Sequence, residues 1–94
     1  MESKTSHSWT FLSNHGHALI EISRNPDLKV SEIAALVGIT ERSTLSILSD
    51  LEADGYISVE RIGRRNKYKN NPKKKFRHRS EADHSIGELL AIFA

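Results

Sequence analysis

The 94-residue chain is predicted to fold as one mainly α domain carrying a single β-hairpin, and three observations predict it. Apolar residues recur at helical spacing in the first, third and last segments. The period changes to two only after Gly55, in a stretch that ends near Lys69. Residues that end helices or close turns, Asn25-Pro26-Asp27, Gly38, Asp54-Gly55 and Asn70-Asn71-Pro72, fall between the periodic segments.

Residues 1–8 are polar and read as a flexible tail. Trp9, Leu12, Leu19 and Ile22, with Ala18 beside Leu19, predict a first helix over 9–24. Asn25-Pro26-Asp27 stops it, because proline disfavours the helical region for the residue before it. Ser31 is the expected N-cap of a short second helix over 32–37, with Glu32 facing the dipole of its first turn and Gly38 closing it. Thr40 caps a third helix, in which Thr44, Ile47, Leu48 and Leu51 follow at i, i+3, i+4 and i+7 and make one apolar face. Ile57, Val59 and Arg61 then alternate with Ser58 and Glu60 as a half-buried strand, and Lys67-Tyr68-Lys69 returns beside it. The intervening loop, 62–66, has the Gly63 and Asn66 that hairpin connections favour. Residues 73–79 form a basic connector, and 80–94 a C-terminal helix with an apolar stripe of Ala82, Ile86, Leu89, Leu90 and Phe93. No internal repeat is present.

Helix, helix, turn, helix and two-stranded wing is the order of a winged helix-turn-helix over residues 9–72, here with flanking N- and C-terminal helices. The stretch VSEIAALVGITERSTLSILSDLEADGYISVERIGRRNKY, residues 30–68, resembles the DNA-binding core of MarR-like and ArsR-like transcriptional regulators of bacteria and archaea. The Ala34 to Gly38 spacing, the Leu51-Glu52-x-x-Gly55-Tyr56-Ile57 ending and the Gly63-Arg64-Arg65-Asn66 wing before an aromatic residue carry the likeness. The resemblance implies a dimer whose third helix enters the DNA major groove while the wing reaches the adjoining minor groove. Its groove-facing positions here would be Arg42, Ser43, Leu45, Ser46 and Ser49, with Arg64 and Arg65 at the wing tip. Leu45 can pack on a thymine methyl or complete the core.

Charge agrees with that expectation. Residues 61–79 hold ten of the fourteen Lys and Arg and no acid, so this window carries +10 against −8 for the rest of the chain. Such a patch gains by releasing counterions from phosphate, which brings Asn66, Lys67, Lys69, Lys73, Lys74 and Lys75 into the expected DNA contact. The acidic remainder repels DNA from the other faces and so fixes orientation.

Other function classes find little support. Cysteine is absent, which excludes disulfides and thiolate metal sites and fits a reducing cytoplasm. His15 and His17 are two residues apart, the wrong spacing for joint ligation on a helix, so no metal or cofactor is expected and His15 reads as a partly buried helix residue. No nucleophile with its base and orienting group is visible, so no enzyme is indicated. No secretory leader or membrane span is expected. The C-terminal stripe either completes the monomer's core or pairs with a second copy. The surplus of apolar residues favours a dimer using Trp9, Leu12, Ile86, Leu89, Leu90 and Phe93. The sequence thus predicts a homodimeric, sequence-specific binder of double-stranded DNA acting as a transcriptional regulator, with any small-molecule effector unidentified. Sequence-tolerant nucleic-acid binding and a protein-interaction module are the alternatives.

Overall fold

A computed structural model describes residues 9–94; the expected tail at 1–8 lies outside the described residues. The first helix, α1, runs Asn14–Arg24, later than its apolar spacing predicts. Ser13 stops it short: its Oγ accepts from the Gly16 N–H at 3.2 Å and fixes the N-terminus there. Trp9 and Phe11 precede the cap and stay exposed, their rings edge to face at 5.2 Å.

The second helix, α2, spans Val30–Val37. Lys29 occupies the cap position rather than Ser31, and Glu32 Oε1 accepts from the Lys29 N–H at 2.7 Å. Gly38 ends it in the left-handed region, its N–H donating to the Ala34 carbonyl at 2.8 Å. The third helix, α3, is Glu41–Ala53, and Thr40 Oγ1 accepts from the Ser43 N–H at 3.0 Å as its cap. The fully buried Thr44 is satisfied because its hydroxyl donates to the Thr40 carbonyl at 2.9 Å.

The hairpin consists of β1, Ile57–Ile62, and β2, Arg65–Asn70, antiparallel with Ile57 opposite Asn70 and Ile62 opposite Arg65. Its inner face adds Ile57, Val59 and Tyr68 to the side chains of the helices, so Ile22, Ile33, Ile47, Leu48 and Leu51 pack between the helical layer and the sheet. The outer edge of β2 is stitched to the α1–α2 loop, where the Tyr68 N–H donates to the Pro26 carbonyl at 3.0 Å.

The last helix, α4, is only Ile86–Ile92, not the whole of 80–94. Ser85 begins it, with Glu88 Oε2 accepting from the Ser85 N–H at 3.0 Å. The chain between the hairpin and α4 doubles back on itself. Ile86 N–H donates to the Lys74 carbonyl at 2.8 Å, Gly87 N–H to the Pro72 carbonyl at 3.0 Å, and Phe76 N–H to the His84 carbonyl at 3.2 Å. A Cβ at Gly87 would stand 2.7 Å from the Pro72 oxygen, so this approach requires glycine.

Candidate nucleic-acid interface

The apolar side of α3 is locked in the core, which turns the opposite side outward. Arg42, Leu45, Ser46 and Ser49 occupy i, i+3, i+4 and i+7 of that side, all exposed. Leu45 is 56% exposed, so it does not complete the core. Ser43 sits on a flank, where its Oγ accepts from the Thr40 hydroxyl at 3.0 Å and so belongs partly to the helix cap. None of these four is acidic, while the exposed Glu52 follows Ser49 by three residues at the end of the same side, and the serines let a partner's surface approach the helix closely.

The hairpin projects beyond the core. Only Gly63 and Arg64 lie between the paired residues Ile62 and Arg65, and Gly63 takes φ +62°, a conformation that suits glycine. The tip therefore presents Arg64 alone. The expected pairing of Arg64 with Arg65 there is corrected: Arg65 is the first residue of β2, and its Nη2 donates to the Asp27 carbonyl at 3.1 Å. Lys67 and Lys69 are exposed on the outer face, with Lys67 opposite Glu60. Asn66 is half-buried opposite Arg61. Arg61 itself was not among the expected contact residues. The period-two alternation puts it on the face of Ile57 and Val59, past the edge of the core and exposed, and that alternation was the signal for it.

The other half of the basic window lies elsewhere. Lys73, Lys74 and Lys75 surround the base of the hairpin beside the C-terminal end of α3, about 20 Å from the tip at the rise of an extended strand. Tyr56 anchors them: its hydroxyl donates to the Lys75 carbonyl at 2.6 Å, and Lys74 Nζ stands 5.6 Å from the centre of its ring. Burial pushes the Tyr56 phenol above its ordinary pKa, with Arg77 opposing and Asp54 adding to the shift, so the hydroxyl keeps its donor proton. Arg77 Nη1 meets Asp54 Oδ2 at 2.9 Å. Lys73, Lys74, Lys75 and Arg77 line an open depression of about 530 Å³ with Tyr56 and Asn71.

The residues expected at a dimer seam divide into three groups. Ile86 and Leu90 are 2% and 6% exposed within the protomer's own core, so they are removed from that set: α4 needs them to hold it against the domain. Leu12 and Leu89 are half-buried. Trp9 and Phe93 remain exposed, and Ile92 beside Phe93 is 72% exposed.

Among the described residues, no group of three or more His, Asp or Glu side chains is placed to hold a metal ion, and no helix is long and apolar enough to cross a membrane. Residues 14–58 match the model of the winged helix-turn-helix DNA-binding family. The matched stretch runs from the start of α1 to the second residue of β1, so it contains all of α3 and stops before the wing tip, the connector and α4. A search of curated proteins finds no significant match. Together the match and the architecture define a winged helix-turn-helix, and they support DNA as its partner.

Proposed function

We propose that the chain binds double-stranded DNA as a homodimer and acts as a transcriptional regulator of the MarR-like or ArsR-like kind, with α3 in the major groove and the wing in the adjoining minor groove. The observation that carries the reading is the exposed stripe of Arg42, Leu45, Ser46 and Ser49 on a helix whose other side is fixed in the core. Arg42 has the two-pronged donor geometry that suits a guanine edge, the serine hydroxyls can bond base or phosphate, and Leu45 offers apolar contact to a thymine methyl. Arg64 at the wing tip suits a narrow, A·T-rich minor groove. Lys67, Lys69 and Lys73 to Lys75 supply phosphate contacts. Exposed Ile92, Phe93 and Leu36 support self-association through the end of α4 and the outer side of α2.

One observation favours sequence-tolerant binding instead: Arg42 is the only long polar side chain on the α3 stripe. Selection of binding sites from random duplexes distinguishes the two readings. A palindromic consensus is expected, with log affinity falling against log salt at a slope of roughly −5 to −9 for three to five phosphates per protomer. A steep slope without a consensus would establish the tolerant reading, and a slope near zero would remove DNA as the partner. Ile92→Glu should shift sedimentation from dimer to monomer with helical circular dichroism unchanged.

A further inference from the structure

We infer that the cleft between α1, the C-terminal turn of α3 and the connector binds a small apolar molecule that carries a cationic group. The inference does not depend on the DNA-binding reading. The cleft has a volume of about 400 Å³, within the range of small-molecule sites, and its walls are apolar: Leu12, Leu19, Leu51, Phe76, Ile86 and Leu89. Phe11 also lines it, yet is 94% exposed in the free protein. That ring is apolar surface still open to an occupant.

The polar groups at the mouth select the charge. His15 Nε2 lies 2.8 Å from Asp50 Oδ2 and Arg77 Nη1 2.9 Å from Asp54 Oδ2, while His78 Nδ1 accepts the Ser80 N–H at 3.0 Å and leaves Glu81, 3.5 Å away, without a hydrogen bond from it. Three carboxylates, two imidazoles and one guanidinium line the cleft. Asp50, Asp54 and Glu81 retain 59%, 44% and 49% side-chain exposure, and Asp50 and Asp54, each engaged through one oxygen, have lone pairs left for a further donor. An ammonium can therefore join these pairs without displacing them. An anion would meet the three carboxylates, and the one guanidinium in the lining is already engaged by Asp54. The Phe11 and Phe76 rings in the lining suit an apolar body and can also meet a cation. Leu51 and Asp54 belong to the end of α3 and its cap, so an occupant touches the helix that carries the exposed stripe.

The test uses three compounds that share one apolar cage and differ in charge: 1-adamantylammonium, 1-adamantanol and 1-adamantanecarboxylate. Each is titrated into the full chain without DNA. Binding is followed by the fluorescence of Trp9, the only tryptophan and an edge-to-face neighbour of Phe11, and by amide chemical shifts. The ammonium is expected to bind about tenfold more tightly than the carboxylate, with shifts at Leu51, Phe76 and Leu89. Asp50→Asn, which leaves the Arg77–Asp54 pair in place, should reduce that preference several-fold while circular dichroism and melting stay as in the wild type. Glu81→Gln is an independent variant with the same expected loss. Tighter binding of the carboxylate, shifts confined to other surfaces, or no binding of any of the three at millimolar concentration would overturn the inference. So would a dimer in which a second copy shields the Leu12 and Leu89 amides from all three.

Discussion

The wing and the connector share a basic charge and have opposite architectures. Both are basic, with Glu60 the one acid of the wing and none in residues 73–79, but the wing extends into solvent with its tip arginine unengaged by any described hydrogen bond, whereas the connector is held at Lys74, Lys75 and Phe76 by backbone carbonyls and amides, a tyrosine hydroxyl and the α4 N-terminus. In the wing, charge is displayed. In the connector, charged residues supply the backbone of a structural clamp, and one of them, Arg77, is paired with Asp54. Net charge along a sequence therefore reports where a polyanion can be attracted, and says little about which segment can leave its place to meet one.

Substitutions can break this contrast or sharpen it. The largest effect is expected at Ile86, buried where the connector meets α4: Ile86→Ala should cost about 2–5 kcal/mol in urea denaturation, while Arg64→Ala at the wing tip should stay within about 0.5 kcal/mol of wild type. Equal costs would mean that the two halves are equally structural. Next is Gly87→Ala, whose Cβ meets the Pro72 carbonyl at 2.7 Å; a loss of about 1–3 kcal/mol is expected, with faster amide exchange at Ile86 and Gly87. Third, Arg64→Ala should weaken binding to all duplexes and reduce the magnitude of the salt slope by about 1 per protomer. Ser46→Ala should change base preference at one position and leave the slope unaltered, as measured by titrating a selected and a scrambled site at several salt concentrations.

The smallest effect concerns the end of the clamp. His84 Nδ1 lies 2.8 Å from Glu88 Oε1, and this hydrogen bond, with the Glu88 charge, raises the His84 pKa above 6.5; the same bond lowers that of Glu88 below 4.5. A raised histidine contributes stability that is complete below its unfolded pKa and lost as pH rises through the folded one. A lowered glutamate contributes stability that is complete above its unfolded pKa and lost as pH falls through the folded one. The pair therefore stabilises α4 fully between pH 4.5 and 6.5 and less on either side. Glu88→Gln should bring the His84 titration, followed by its imidazole proton shifts, back toward the ordinary histidine value, and should flatten the pH dependence of melting on the alkaline side. An unchanged titration would show that the contact does not persist in solution.

The parts legible in the sequence were those governed by local chemistry. Thr40, the apolar positions of α3 and Gly55 mark that helix from start to finish, and the alternation at 57–61 marks the first strand. Where apolar spacing and a cap disagreed, the cap decided: Ser13 delays α1, and Ser85 with Glu88 delays α4 although Ala82 continues the apolar stripe. Serine followed by glutamate three residues on was the available signal for α4. The position of Arg65 depends on a two-residue turn, where one residue more or less moves every side chain on the strand. The doubling back of the connector had no local signature, because its bonds join Pro72 to Gly87 and Tyr56 to Lys75 across the chain. The exposed α3 stripe was readable as the complement of the apolar face. The cleft beside it was not, since its walls come from both ends of the sequence.

The loop between α1 and α2 does more than join two helices. The Pro26 and Asp27 carbonyls accept from the Tyr68 N–H and from Arg65, so the strand that carries the wing is tied to the residues that set the start of α2. The loop thus works as a mooring for the return strand of the wing on the helical layer. One residue inserted or deleted at 25–28 would shift the carbonyls that receive Tyr68 and Arg65, and so loosen the strand behind the wing tip without touching Arg64 itself.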